Sequence, residues 1–301
     1  MSVHSSQVAR NSVMNGFRVR EDTLFTDSKG NDKPKIRTAA DQTLSRLGDL
    51  LRRLLEQNET IFGICRAQVM PGTMEQLFLG WHVYTLPRVM LLFTDRRIIA
   101  LRIRNRGWGD WEWDRGVRTI RWGDVASASV KGLLSRVFKL KLRSGESISY
   151  WRMTLADSKK IKVLAGFLQQ HATGETSAGA ASMSLCPTCL AVLQPMHYEC
   201  PNCRLEFRNE KTLMWRGLII PGGASFYIGM TALGVLRFIV ESFFILIVLI
   251  LVADGVTAPA GSPAAYHAFT TATVLLLVLF LEKWLAILYS RRRIRDFLPA
   301  Q

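Results

Sequence analysis

The sequence predicts a multidomain membrane protein: an antiparallel β domain closed by a helix, a small cysteine module, and an α-helical transmembrane hairpin. Three observations predict it. The 301 residues exceed the usual size of one domain. Apolar residues concentrate in the last third of the chain while charge crowds the first two thirds, so the 49% hydrophobic content averages two unlike regions. Four of the five cysteines stand in two Cys-x-x-Cys pairs. That is too few for a disulfide framework at this length, so the pairs point to a metal in a reducing compartment and exclude a secreted disulfide-rich protein.

The net charge of +15 invites a nucleic-acid reading, but it is uneven. Residues 58–170 carry 19 Lys/Arg against 9 Asp/Glu, and the rest lies mostly beside the apolar segments. Residues 1–36 are polar and mixed in charge, with no apolar run to act as a signal peptide, and are expected to be a disordered tail. Residues 37–57 are expected to hold one amphipathic helix, because Leu44, Leu47, Leu51 and Leu54 recur at spacings of three and four. Two heptads are too few to require a coiled coil, so the helix packs against the next domain.

After Asn58 the period changes to that of strands. Short runs rich in Val, Ile, Leu and aromatics cover Glu59–Val69, Gln76–Tyr84, Val89–Thr94, Arg97–Arg104, Gly109–Trp113, Arg118–Trp122, Val125–Val130, Val137–Arg143 and Ser147–Trp151. The segment Phe138-Lys139-Leu140-Lys141-Leu142-Arg143 alternates throughout and turns at Ser144-Gly145-Glu146, which predicts a strand with one basic and one buried face. Ala156–Gln170 returns to helical spacing, with Ile161, Leu164, Phe167 and Leu168 on one side.

Three stretches of this domain carry a resemblance: Leu91-Leu92-Phe93-Thr94-Asp95-Arg96-Arg97-Ile98-Ile99, Ile120-Arg121-Trp122-Gly123-Asp124-Val125, and the Leu140–Tyr150 hairpin with its closing helix. Together they resemble bacterial pleckstrin-homology-like (PH-like) domains, whose layout GRAM-like domains share. Over residues 58–170 the resemblance implies a PH-like β-barrel of seven strands, bent and partly open, with a C-terminal capping helix. It also implies binding of lipid headgroups or of protein partners. Fold transfers across such a resemblance more safely than function.

Residues 171–184 form a Gly/Ala/Ser/Thr linker. Across 185–207, Cys186 and Cys189 are followed after ten residues by Cys200 and Cys203, and in each pair Pro stands directly after the first Cys. Each pair can form a knuckle with two thiolates aimed at one ion, and ten residues suffice for a hairpin joining the knuckles, which suits tetrahedral Zn2+. The segment resembles a short zinc ribbon. Four thiolates leave no open position for water or substrate, so the zinc is structural, and in so short a segment metal binding supplies most of the folding energy. His197 falls outside the four-Cys set, and Cys65 in a strand reads as a small apolar filler. The ribbon is poorly equipped for nucleic acid, with Arg204 opposed by Glu199 and Glu206.

Residues 213–290 hold two apolar blocks, Gly217–Ala253 and Ala268–Ser290, each able to supply the roughly 20 helical residues that cross a bilayer core. Asp254–His267 between them has no Lys or Arg, whereas Arg204, Arg208, Lys211 and Arg216 precede the first block. Arg291, Arg292, Arg293 and Arg295 follow the second, in a basic tail of residues 291–301. The positive-inside rule puts both termini in the cytoplasm, as expected of an integral protein of a bacterial inner membrane. Pro221-Gly222-Gly223 with Tyr227-Ile228-Gly229 looks like the start of small two-pass hairpin families, as a re-entrant turn or a bent helix start; a separate span there would change the topology. Glu241 is the intramembrane residue of most interest, and Arg237 one turn earlier can pair with it. Glu282 and Lys283 lie nearer the cytoplasmic end of their span.

No nucleophile beside a base, paired carboxylates, phosphate-cradling loop or open metal site is legible, and the five histidines fall in separate segments, so the sequence reads as noncatalytic. In the charged domain, Arg102 and Arg104 should face outward, Arg106 and Trp108 should sit at a hairpin tip, and Arg115 follows. Basic and aromatic residues at a tip suit anionic lipid or a protein partner, and the competing reading is that Trp111 and Trp113 pack inside while the arginines are solvated. The expected function is a membrane-anchored, noncatalytic adaptor or sensor. The alternatives are a membrane-tethered nucleic-acid-binding protein, disfavoured because its aromatics cluster at a hairpin, and an accessory subunit of a transport or envelope-assembly complex in which Glu241 meets another protein's helix. Two membrane helices also leave room for a homo-oligomer.

Overall fold

The computed structural model describes residues 10–27, 29–71, 88–107, 110–132, 136–171, 182–259, 261–294, 297 and 299–300. The chain forms two compact units, residues 1–194 with 201–203, and residues 195–200 with 204–301.

The first unit is built on an antiparallel sheet of strands β3 (Thr60–Val69), β4 (Arg88–Thr94), β5 (Arg97–Gly107), β6 (Asp110–Arg121), β7 (Val125–Lys131), β8 (Val137–Leu142) and β9 (Ser147–Trp151). The sheet order is β11-β10-β6-β5-β4-β3-β9-β8-β7, with β10 (Ser182–Leu185) and β11 (Val192–Leu193) extending it beyond β6. It is therefore a large open sheet and not a closed barrel: β7 is one end, and β6 pairs with β10 instead of returning to β7. The sheet nevertheless curls. Phe93 on β4 and Phe138 on β8 are three strand spacings apart, roughly 14 Å if flat, yet their ring centroids are 5.9 Å apart.

Strand assignments from sequence match closely, with two exceptions. Gly109–Trp113 and Arg118–Trp122, expected as separate strands, form one strand β6 that continues through Arg115, whose φ of 55° marks a local irregularity. The expected strand Gln76–Tyr84 lies outside the described residues. Helix α4 (Leu155–His171) follows β9 directly and packs Ile161 and Leu164 into one core with Phe62, Phe93, Trp122, Phe138 and Tyr150.

The N-terminal segment corrects the expectation of a disordered tail. From Asn11 onward it forms β1 (Asn11–Met14), β2 (Phe17–Arg20) and α1 (Glu21–Leu24), and β2 pairs in parallel with β3. The expected single helix is two, α2 (Pro34–Arg46) and α3 (Gly48–Leu54), divided at Leu47. Phe17, Val19, Leu24 and Phe25 join Leu44, Leu47, Leu51 and Leu54 in a second core on the opposite sheet face, against Met90, Leu92, Ile99, Leu101, Ile103 and Trp111. The unbroken apolar run of β4 follows: Val89, Leu91 and Phe93 face one core while Met90 and Leu92 face the other. Phe17, Val19, Leu24 and Phe25 are sparse in this stretch, but each is buried, and that burial offsets the ordering entropy that polar composition alone could not.

The second unit contains α5 (Glu210–Ile219), α6 (Gly223–Tyr227), α7 (Thr231–Thr257) and α8 (Pro263–Ile294). Among the described residues, α7 and α8 are the two helices long and apolar enough to cross a membrane. Neither α5 nor α6 has that length. The basic tail is not wholly free: Pro299 makes a β-bridge with Phe207, and Phe297 meets Phe207 edge-on.

Candidate metal centre and charged surfaces

The two cysteine pairs fold as near-identical knuckles. In the first, Cys186 N–H donates to Ala191 O (2.9 Å) and Leu190 N–H donates to Cys186 O (2.9 Å). In the second, Cys200 N–H donates to Leu205 O (2.9 Å) and Arg204 N–H donates to Cys200 O (3.0 Å). Leu190 and Arg204, each directly after a second cysteine, both adopt φ of 59°, which turns the chain back and leaves both thiols of a pair pointing the same way. The four Sγ atoms lie within 4.8 Å of one another. Cys186 and Cys203 sulfurs are 3.5 Å apart, too far for a disulfide and close to the roughly 3.8 Å edge of a tetrahedron with metal–sulfur bonds of about 2.3 Å.

This group of four could hold a metal ion such as zinc, and its donor chemistry fits that ion. His197 is not in the group; its ring Nδ1 lies 3.3 Å from Pro195 O. The linker expectation needs one correction, because Ser182–Leu185 already pairs with β6, through Ser184↔Arg118 and Leu185↔Val117. The first knuckle is thus fastened to the sheet, and Arg53 Nη1 on α3 donates to Thr188 O within it (2.9 Å).

The arginines singled out in the β domain behave differently from expectation. Arg102 is 5% exposed, its Nε donating to Asp114 (2.9 Å). Its two terminal nitrogens are buried and have no partner among the described residues. Arg104 is exposed but engaged with Glu112 through Nε and Nη2 at 2.9 and 2.7 Å. The reason is the β5–β6 register, which sets Arg104 opposite Glu112, while the irregularity in β6 sets Asp114 to Gly116 opposite Arg102 and brings Asp114 to it. Arg115 is exposed at the β6 irregularity. The side chain of Arg106, and Trp108 altogether, lie outside the described residues. Trp111 is buried in the second core with the guanidinium groups of Arg46 and Arg66 at 5.6 and 5.4 Å from its ring. Trp113 donates its indole N–H to Gly116 O (3.2 Å).

Pairing within the two long apolar helices is also corrected. Arg237 does not pair with Glu241; its Nε lies 3.3 Å from Glu282, while Glu241 is 2.6 Å from Lys283. The spacing along one helix permits the expected pair, but two crossed pairs between α7 and α8 place all four charges at helix contacts. Sequence reading missed a buried ion pair in the first unit: Glu59 accepts from Arg97 Nε (3.0 Å) and Nη2 (2.7 Å), and from Thr94 Oγ1 (2.7 Å). Glu56 and Arg96 cluster around the pair, but nothing in a one-dimensional pattern joins Glu59 to a turn 38 residues later.

Burial pushes the Cys65 thiol well up, so it is no thiolate nucleophile. Burial likewise raises Asp157, and it lowers Lys160 to about 8 against the opposing pull of Asp157. Lys160 Nζ donates to Leu24 O (2.8 Å), joining α4 to the N-terminal segment.

No protein-family model matches this sequence, and no curated protein matches it. Among solved structures, the chain is similar to the C-terminal domain of an unknown protein from Leishmania infantum, at 10% identity and a TM-score of 0.27, covering 43% of this chain and 98% of that one. It is also similar to the hSac2 domain from human phosphoinositide phosphatase Sac2, at 10% identity and a TM-score of 0.29, covering 48% and 93%. Likenesses this slight carry no functional argument.

Proposed function

We propose that the chain is a membrane-anchored, noncatalytic adaptor or sensor of a bacterial inner membrane with both termini cytoplasmic. Its β domain, read as PH-like, binds anionic lipid headgroups or a protein partner, and its zinc ribbon serves as a structural docking module. The observation that carries the reading is the run of seven antiparallel strands β3 to β9 followed directly by α4, the layout that the PH-like resemblance implies, in one chain with two helices fit to span a membrane. The noncatalytic part rests on the closed four-thiolate set and on the inert Cys65.

The contact surface proposed is the outer face of β7–β9, in place of Arg102 and Arg104. Ser127, Lys141 and Ser147 form one cross-strand row, and Ser129, Lys139 and Ser149 the next. Lys131 lies at the end of β7, and none of these three strands contains an acidic residue. Lys131, Lys139 and Lys141 make no ion pair among the described residues, whereas Arg102 and Arg104 of β5 are neutralised. Near an anionic leaflet each such lysine contributes on the order of 1 kcal/mol. The nucleic-acid alternative loses support with that neutralisation and with the burial of Trp111. The accessory-subunit alternative loses its contact residue, since Glu241 is buried against Lys283.

The test is lysine acylation of the full chain in nanodiscs, read peptide by peptide. With anionic lipid, Lys131, Lys139 and Lys141 should react at least fivefold more slowly than in zwitterionic discs, with protection lost at high salt. Exposed Lys159 and Lys162 on α4 should not change. Equal rates in both discs would remove the lipid reading and leave a protein partner.

A further inference from the structure

We infer that α5 and α6 form a re-entrant hairpin that dips into the membrane and leaves on the side it entered, with its outward face set among lipid acyl chains. The inference rests on the two-span membrane reading above. Its first support is that the two ends of the hairpin meet. Asn209 N–H donates to Tyr227 Oη (3.0 Å), and the Arg208 guanidinium donates to Tyr227 O, so the chain returns to the level at which it began.

Contacts with α8 give the depth between those ends. Glu210 pairs with Arg291, and Gly217 packs so close to α8 that a Cβ there would lie 2.7 Å from Ile287 Cγ1. Lys283 Nζ donates to Gly217 O (3.2 Å) and lies 3.4 Å from Ile220 O. From Arg291 to Lys283 a helix rises about 12 Å. Past the tip the chain climbs back: Ser290 Oγ lies 3.5 Å from Ala224 O, and Tyr289 Oη lies 3.8 Å from Met230 Sδ. Helix α7 then descends, with Arg237 at the level of Glu282.

The tip is made for this path. Gly222 has φ of 65°, and a Cβ on it would lie 2.3 Å from Gly234 O, so the turn needs glycine both for conformation and for its approach to α7. The last carbonyls of a helix lack partners within it, and away from water each is costly to leave unmet. Lys283 meets one of them, Gly217 O, at the negative end of α5 and lies beside Ile220 O, which also accepts from the Gly223 N–H (2.9 Å), while its charge is balanced by Glu241.

The outward side shows what surrounds the hairpin. Trp215 and Ile219 are 61% and 68% exposed, beside Met214 and Leu218, and Phe226 is exposed on α6. At the same levels the outer faces of α7 and α8 remain apolar through Leu236, Phe238, Trp284 and Leu288. The charges meanwhile turn to one another, Glu210 to Arg291, Glu241 to Lys283 and Arg237 to Glu282. A cap standing in water would carry the reverse pattern, charges outward and Ile219 inward. Arg216 is exposed beside Trp215, and its guanidinium lies over the Tyr227 ring (5.2 Å) at the hairpin's returning end; apart from it, the outward residues from Met214 to Ile220 are apolar like the outer faces of the two spans, and the same lipid covers both.

The experiment is site-by-site labelling of the full chain in liposomes of lipid and this chain alone, with a membrane-impermeant maleimide and peptide-level mass spectrometry. Four variants are compared: Lys211→Cys, Ile219→Cys, Ile250→Cys and Ala264→Cys. Position 211 should react from one side and 264 only from the other, while 219, like 250, reacts at least tenfold more slowly than 211 from either side until detergent is added. Labelling of 219 at the rate of 211 would place α5 in water and overturn the inference, and labelling from the side of 264 would make α5 a span and overturn it too. Reaction of 211 and 264 from one side would instead remove the two-span reading itself.

Discussion

The buried Glu59–Arg97 pair lends itself to a quantitative test. The Glu59 side chain is fully buried and that of Arg97 10% exposed. The carboxylate collects two bonds from Arg97, one from Thr94 Oγ1 and one from the Glu56 N–H (2.8 Å). Arg97→Met leaves a buried carboxylate with two neutral donors and strips Leu54 O at the end of α3 of its partner. Loss of one member of such a pair costs about 3–5 kcal/mol. Glu59→Leu should cost about 2–3 kcal/mol, since the guanidinium keeps Leu54 O and lies 3.4 Å from Glu56. The double variant buries neither charge, so it should be well below the sum, with a coupling of at least about 2 kcal/mol. Because the chain has several units, the reading should be local: hydrogen exchange of peptides covering β4 and β5 in the full chain. Arg97→Met should speed exchange there by about 100-fold or more. Acceleration below tenfold, or a double variant equal to the sum of the singles, would refute the argument that an unpaired buried carboxylate dominates the cost.

Two further outcomes follow from the metal centre and from Lys160. The full chain should carry one zinc per molecule, and chelation or Cys203→Ser should release the protection of peptides from 182–193 and 200–207 while β8 and β9 stay protected, because binding at such a site supplies about 10–16 kcal/mol that this small segment cannot otherwise find. Unchanged protection of those peptides after metal removal would refute it. Lys160 is depressed to about 8 from 10.5 in the folded chain, so between those values the unfolded state binds more protons and stability rises with pH. The penalty is complete below pH 8. Its relief toward pH 10.5 should amount to on the order of 1–2 kcal/mol after screening at this half-buried site, and Lys160→Met should abolish that slope in thermal melts, which an unchanged slope would contradict.

The elements that were legible in advance are those with a local signature. The alternation of Phe138 to Arg143 gave its strand, the Ile161 and Leu164 spacing gave the closing helix, and the unbroken run from Val89 to Phe93 is what burial on both faces looks like. The two Cys-x-x-Cys pairs were legible as a metal group because each knuckle is closed by bonds within six residues. Phe17, Val19, Leu24 and Phe25 were not legible as core, since four apolar residues in a polar stretch show no period until the sheet face they cover is known. Arg102 was misread for a related reason: it does face away from the core that holds Leu101 and Ile103, but the extra residues of β6 at the irregularity, Asp114 to Gly116, cover it there, and alternation alone cannot see them.

By itself the sequence determined the zinc-type donor set, the presence of two helices long enough for a bilayer, and most strand positions, because periodicity and spacing are properties of neighbouring residues. Tertiary structure alone decided which charges neutralise which. Arg237 took Glu282 and Glu241 took Lys283, Arg102 and Arg104 were matched to Asp114 and Glu112, and Lys139 and Lys141 were left as the cations on an unopposed face. A charged side chain pairs with whatever the fold brings within a few ångströms, and that is settled by which surfaces meet, a property no stretch of sequence holds on its own.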